Sequence, residues 1–160
     1  MAVHDHQGCI NTALALAERL CEERGVRFTP LRRRVLELIW SNHESVKAYD
    51  LLDTLKAFDK SAKPATVYRT LDFLLEQGLI HRIESLNAFV GCRHPERRHE
   101  LLLLICEHCH NVEERTALEL MEAAAREIRA AGFSPRHQSF EIRGLCADCS
   151  ELEDIGRSLL

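Results

Sequence analysis

Apolar residues recur along this chain in two different rhythms. From residue 10 to 77 they return every three or four positions, the spacing of one face of a helix. Ile10, Leu14, Ala17 and Cys21 make the first stripe and predict a helix over 10–24, ended by Gly25. Thr29-Pro30 is an N-cap followed by proline at the first helical position. The helix that it starts carries Leu31, Val35, Leu38 and Ile39 on one side. Ser45 is placed to cap a third helix, with Tyr49, Leu52 and Leu55 or Leu51 facing inward, and residues 57–63 read as a polar turn. Pro64 opens a fourth helix that runs to Gln77 and stops at Gly78, with Val67, Leu71, Leu74 and Leu75 buried. The rhythm then changes. Residues 79–84 and 88–92 read as two strands around Ser85-Leu86-Asn87, a hairpin. Helices followed by a two-stranded hairpin are the layout of a winged helix-turn-helix.

Residues 93–98 are charged, contain Pro95 and have no periodicity. They are expected to form a linker between a winged-helix domain over 1–92 and a second domain over 99–160. In the second domain, 101–105 reads as a strand and Thr116-Ala117-Leu118-Glu119 as a capping box. The helix behind it has the stripe Leu118, Met121, Ala125 and Ile128, and Gly132 closes it. Residues 138–143 alternate like a strand, and a short helix is expected after Ser150. The expected class is therefore α+β: a winged helix followed by a small α/β unit. A unit this small needs a metal clamp or a partner subunit to support its core.

Composition narrows the setting. Hydrophobic residues make up 46% of the 160, ample for folded cores, yet no apolar run approaches a membrane span. The opening Met1-Ala2-Val3-His4-Asp5-His6 lacks the pattern of a secretion signal, so a cytoplasmic location is expected. Seven cysteines in a reducing compartment point to metal or reactive thiols before disulfides. The net charge of −4 is unevenly placed: residues 1–84 carry 12 Lys+Arg and 12 Asp+Glu, residues 85–160 carry 9 and 13. Within the first part, residues 24–34 hold Arg24, Arg27, Arg32, Arg33 and Arg34 without an acid among them. Such a cluster can touch phosphates, or can be an ordinary solvated face.

The strongest chemical signal is a pair of short cysteine motifs, Cys106-Glu107-His108-Cys109 and Cys146-Ala147-Asp148-Cys149, with 36 residues between them. Two thiolates three positions apart on a tight turn reach one metal ion, and two such turns supply the four sulfurs of a closed structural zinc site. The competing reading is two separate redox dithiols. A second signal is the start of the fourth helix, Lys63-Pro64-Ala65-Thr66-Val67-Tyr68-Arg69. The second helix of a helix-turn-helix enters the DNA major groove by its N-terminal end. There Arg69 suits the paired acceptors of guanine, Tyr68 can offer its hydroxyl or its ring face, and Thr66 and Lys63 suit phosphate. Arg27 lies outside that helix and suits the backbone or the minor groove.

The segments Arg27-Phe28-Thr29-Pro30-Leu31-Arg32 and Ala65-Thr66-Val67-Tyr68-Arg69-Thr70-Leu71, taken with the two C-x-x-C pairs, resemble the ferric uptake regulator family over nearly the whole chain. The resemblance is nearer to its zinc-sensing, zinc uptake regulator branch. It implies a homodimeric, metal-dependent transcriptional regulator whose C-terminal domain dimerises, with double-stranded operator DNA as partner and no small-molecule substrate. Iron- and peroxide-sensing relatives carry a histidine-rich run ahead of the first cysteine pair. Leu101, Leu102, Leu103 and Leu104 stand at those positions here. That departure leaves His137 without partners for a third metal site.

A second donor set remains once the four cysteines are set aside: His81, Cys92, His99, Glu113 and Glu114, with His94 a rival to His99. Each alone has an ordinary structural reading, Cys92 as a small buried hydrophobe above all. Two imidazoles, one thiolate and one carboxylate suit tetrahedral zinc. The resemblance selects His81, Cys92, His99 and Glu114 as a sensing site, giving two zinc ions per monomer. The expected function is a zinc-responsive repressor of zinc-uptake genes that binds its operator when zinc-loaded. The alternatives are an iron- or peroxide-responsive regulator of the same family, a thiol switch and a non-catalytic structural zinc protein. A zinc hydrolase is disfavoured, because four protein ligands leave no open coordination position and no H-E-x-x-H is present.

Overall fold

The computed structural model describes residues 6–41, 44–58, 60–96, 101–136 and 138–158, the side chains only as far as 152. It separates into two compact units, Met1–Arg98 and His99–Leu160. Among the described residues no helix is long and apolar enough to cross a membrane.

The first unit contains α1 (His6–Glu23), α2 (Pro30–Trp40), β1 (Val46–Lys47), α3 (Ala48–Phe58), α4 (Pro64–Glu76), β2 (Ile80–Ile83), a 3-10 turn (Glu84–Leu86) and β3 (Ala88–Gly91). The helical stripes meet in one core: Leu14, Ala17 and Cys21 from α1, Val35 and Ile39 from α2, Leu51, Leu52 and Leu55 from α3, and Val67, Leu71 and Leu74 from α4. Thr29 caps α2 as its sequence requires, its hydroxyl accepting from the Arg32 amide at 3.3 Å. β3 lies between β1 and β2, pairing antiparallel with both, and Asn87 takes the left-handed conformation that closes the β2–β3 connection.

Two expectations fail here. Ser45 caps no helix: Val46 and Lys47 pair with Phe89 and Ala88 as a third strand of the wing, and α3 starts only at Ala48. Leu51, Leu52 and Leu55 face the core as expected, but Tyr49, in the first turn of α3, does not face inward and is 71% exposed. α1 also begins a turn earlier than its apolar stripe suggested.

The second unit contains β4 (Leu101–Cys106), β5 (Val112–Thr116), α5 (Leu118–Ala130), β6 (Phe140–Gly144) and α6 (Ala147–Ser158). Its sheet has the order β5-β4-β6, antiparallel on one side of β4 and parallel on the other. The expected capping box is absent. Thr116 ends β5, where it pairs with Leu101, and Ala117 stands at the N-cap of α5 without a side-chain cap. Of the stripe expected on α5, Met121 is buried whereas Leu118 is 62% exposed. α6 starts before Ser150 and takes Cys149 into its first turn.

Gly91 lets the wing pack on α2. A Cβ there would collide with the Trp40 indole, a rigid ring on a half-buried side chain. Gly91→Ala is expected to destabilise the protein by roughly 1–3 kcal/mol through overpacking, read as a lower midpoint of urea unfolding with an unchanged slope.

Candidate metal centre and nucleic-acid interface

Strand register builds the first metal centre. β4 and β5 form a hairpin whose loop carries Cys109, while β6 lies parallel on the other edge of β4 with Gly144 opposite Cys106. Both cysteine pairs therefore leave the same end of one sheet. The Cys106 amide donates to the Asn111 carbonyl and the His110 amide to the Cys106 carbonyl, with His110 in the left-handed conformation. The Glu107 amide reaches across to the Gly144 carbonyl at 2.8 Å, tying one turn to the other strand.

The result is convergence. Sγ atoms of Cys106, Cys109, Cys146 and Cys149 all lie within 4.8 Å of one another. Cys109 and Cys146, from different pairs, stand 3.7 Å apart. A tetrahedron drawn with zinc–sulfur bonds of about 2.3 Å has edges of about 3.8 Å, so the sulfurs fit that ion. The sulfurs of the two pairs meet in one cluster. The Cys146 amide points at the Cys106 sulfur at 3.4 Å. Amide hydrogens, Cys109 first and Cys146 next, draw the Cys106 thiol down to about 6. At Cys109 the Asn111 amide is the largest single influence and pulls downward, yet the Cys106 thiol and burial together leave the group raised. Cys149 is pushed up, by Cys146 first and by burial second. Crowded sulfurs of this kind all ionise only when a cation compensates them.

The second donor set is spread over both units. In the first, His81 on β2 faces Val90 across the hairpin, and the Cys92 amide donates to the Leu79 carbonyl at 3.0 Å. Side chains alternate along a strand, so His81 and Cys92 share one face as diagonal neighbours. A His81 ring nitrogen and the Cys92 sulfur lie within 4.8 Å, with Cys92 buried and His81 half-buried. In the second unit, Glu114 is half-buried on the same face of β5 as the buried Val112. Glu113 is on the opposite face, exposed and paired with Arg115 at 3.1 Å. His94 is exposed and stands 3.7 Å from the Glu96 carboxylate. His99 and His137 lie outside the described residues.

α4 presents a polarised outer face. Val67, Thr70 and Leu71 are buried, while Lys63, Thr66, Tyr68 and Arg69 are exposed, Tyr68 by 53%. Lys63 is the N-cap and makes no side-chain capping bond. Farther along the same surface stand the exposed acids Asp72 and Glu76. Only the N-terminal half of the helix therefore attracts phosphate, the half whose own dipole is positive.

The arginine cluster divides differently. Arg24 bonds to the Gln77 and Pro95 carbonyls, and Arg32 bonds to the Arg27 carbonyl and lies over the Phe73 ring. Arg33 pairs with Glu18, and Arg34 pairs with Glu37 and lies over Phe58. Among the described residues, Arg27 is the one member of the five whose side chain makes none of these contacts.

Comparison with known proteins agrees with this geometry. Residues 23–143 match the ferric uptake regulator family. The chain is 43% identical over 141 residues to the zinc uptake regulation protein of Escherichia coli (strain K12), spanning 88% of this chain and 82% of that protein. A solved zinc uptake regulator complexed with zinc and DNA superimposes with a TM-score of 0.86 at 42% identity, over 91% of this chain and 97% of the other. The crystal structure of holo XcZur gives a TM-score of 0.81, also at 42% identity, over 88% and 99%.

Because four thiols at one end of the sheet stand in for an apolar core, metal binding there is folding free energy. Cys106→Ser is expected to lower the metal content by one zinc per chain and to lower the melting temperature of the second unit. A variant that lost the zinc yet melted like the parent would separate the ion from the fold.

Proposed function

The chain belongs to the ferric uptake regulator family, and we propose that it is a zinc-responsive transcriptional repressor of zinc-uptake genes, binding operator DNA as a homodimer when zinc-loaded. The observation that carries this reading is the combination, in one chain, of a four-cysteine centre and an exposed, basic start to α4. The protein that it resembles at 42% identity was solved with both zinc and DNA. We read the protein as a regulator and not as an enzyme, since four protein ligands on each ion would leave no open coordination position.

Two donor sets support a reading of two zinc ions per monomer. Zinc supplies a tetrahedral cross-link and no redox chemistry. Cys106, Cys109, Cys146 and Cys149 use it to hold the dimerisation domain, residues 99–160, together. His81, Cys92, His99 and Glu114 form the sensing site. The His81–Cys92 pair supports this assignment, being set on one face of the wing hairpin. Glu114 is the acid of choice over Glu113, whose carboxylate is engaged by Arg115. His81 and Cys92 precede the linker at 93–98 and His99 and Glu114 follow it, so gathering all four around one ion restrains the winged domain.

DNA reading falls to α4. Arg69 pairs with a guanine edge, Tyr68 lies beside it, and Thr66 and Lys63 hold phosphates. Arg27, not engaged like its four neighbours, contacts the backbone or the minor groove. A homodimer must present its two reading helices at the spacing of two half-sites. An ion that binds the ordered arrangement better shifts the population toward it by that difference in affinity alone, and operator DNA tightens the ion in return.

Arg69→Ala is expected to weaken operator binding by roughly 1–3 kcal/mol and to relax base preference, whereas Arg27→Ala weakens all sequences evenly. Competition titrations on specific and scrambled duplexes distinguish the two, and an unchanged preference in Arg69→Ala would place the reading helix elsewhere. Cys92→Ser is expected to remain a folded dimer with the four-cysteine zinc and to lose zinc-dependent operator binding. Zinc per chain, sizing and DNA binding with and without chelator test it, and an intact zinc response would remove Cys92 from the sensing site.

A further inference from the structure

The ladder between β4 and β6 ends where the cysteine turns begin. Its last register pairs are Ile105 with Arg143 and Cys106 with Gly144. Beyond them a single residue, the exposed Leu145, separates β6 from Cys146. Past a ladder end, a chain is held in place by whatever else grips it. Glu107, the residue after Cys106, grips it twice. Its amide donates to the Gly144 carbonyl at 2.8 Å, and its carboxylate stands 2.8 Å from an Arg143 Nη. The Cys146 amide then points back at the Cys106 sulfur at 3.4 Å.

Each cysteine turn is closed by bonds of its own. The first is closed by the Cys106–Asn111 and His110–Cys106 main-chain bonds, the second by the Ser150 amide, which returns to the Cys146 carbonyl at 2.9 Å. What these local bonds leave open is the distance between the two turns, and the contacts of Glu107 with Arg143 and Gly144 span it. The bond to Gly144 is main chain and is open to any non-proline residue at 107. The ion pair depends on the two side chains. They are 51% and 50% exposed, so solvent weakens the pair without removing it.

We propose that Glu107 and Arg143 are positioning residues for the four-cysteine zinc: their ion pair holds the two cysteine turns at ligand spacing and so raises the affinity of that centre. This rests on the reading of Cys106, Cys109, Cys146 and Cys149 as one zinc site. An ion that binds only the closed arrangement is held more tightly by whatever favours that arrangement without the ion. An exposed pair shifts such an equilibrium roughly two- to fivefold. The gain falls on the ion that supports the fold of the second unit and not on a sensing ion, and it widens the interval between their affinities. The pair is also neutral as a whole. A lone carboxylate at 107 would instead add charge beside four thiolates, which on one zinc already leave the centre negative.

The test uses the full-length homodimer and competition for zinc with a chromophoric chelator, following the ion that Cys92→Ser retains. Arg143→Gln and Glu107→Gln are each expected to lower its apparent affinity roughly two- to fivefold. The double variant is expected to be no weaker than the weaker of the two, because the side chains act as one pair. Exchanging the charges, Glu107→Arg with Arg143→Glu, is expected to restore most of the affinity. A merely structural role, each side chain packing on its own, would give additive losses that the exchange does not recover. A bare charge effect on the thiolates would make Glu107→Gln bind zinc more tightly than the parent. Either result, or parental affinity in both single variants, overturns the pair and leaves the four-cysteine centre standing. If the exchanged chain is poorly folded, Arg143→Lys takes its place: it keeps the charge and is expected to hold most of the parental affinity, and a loss equal to that of Arg143→Gln overturns the proposal. If Cys92→Ser retains no zinc, or retains it after the further change Cys106→Ser, the centre itself falls and the proposal with it.

Discussion

Four sulfurs within 4.8 Å of one another are the constraint around which the second unit is built, and they match the donor set of a tetrahedral zinc ion. Thiols at that separation compete for the same amide hydrogens and for the same charge. The Cys149 thiol, pushed up by Cys146 and by burial, reflects that crowding. A zinc ion held there would replace it with four equivalent bonds. The second unit has few other means of holding itself together: among its described residues the buried apolar side chains are Leu103, Ile105, Cys106, Val112, Met121 and Cys149, and two of these belong to the sulfur cluster. Its sheet order, the hairpin loop of Cys109 and the first turn of α6 all serve the meeting of these sulfurs.

The first unit is organised on other terms. Its helices bury an extensive apolar core and need no ion. What matters there is which polar groups are left for another molecule. Four of the five clustered arginines are drawn into contacts within the unit, three of them onto carbonyls or rings that a charge count does not see. The charge that this cluster leaves for another molecule is thereby smaller than its count of arginines suggests. An acidic chain can read DNA because affinity depends on the local placement of charge and not on the total.

The division between sequence and tertiary structure is sharpest at particular residues. Helical periodicity located α1 to α4, and Thr29-Pro30 and Gly78 marked helix ends correctly, because caps and stripes are local physics. The spacing of Cys106, Cys109, Cys146 and Cys149 announced their centre for the same reason: reach along a tight turn is fixed within four residues. Local signals misled where a partner strand intervened. Ser45 and Thr116 each precede a helix and look like caps, but Val46–Lys47 and Val112–Thr116 are claimed by sheets, and a backbone paired in a ladder cannot also cap. The parallel pairing of β6 with β4, which brings Gly144 opposite Cys106 and both cysteine pairs to one end, depends on contacts across some 40 residues and leaves no trace in any window of sequence. The resemblance preferred Glu114 to Glu113 without a physical reason; the pleat of β5 supplies one, turning Glu114 to the buried face and Glu113 to Arg115. Arg24 was one arginine among five, because its partners are main-chain carbonyls, which every residue possesses and only the folded chain brings within reach.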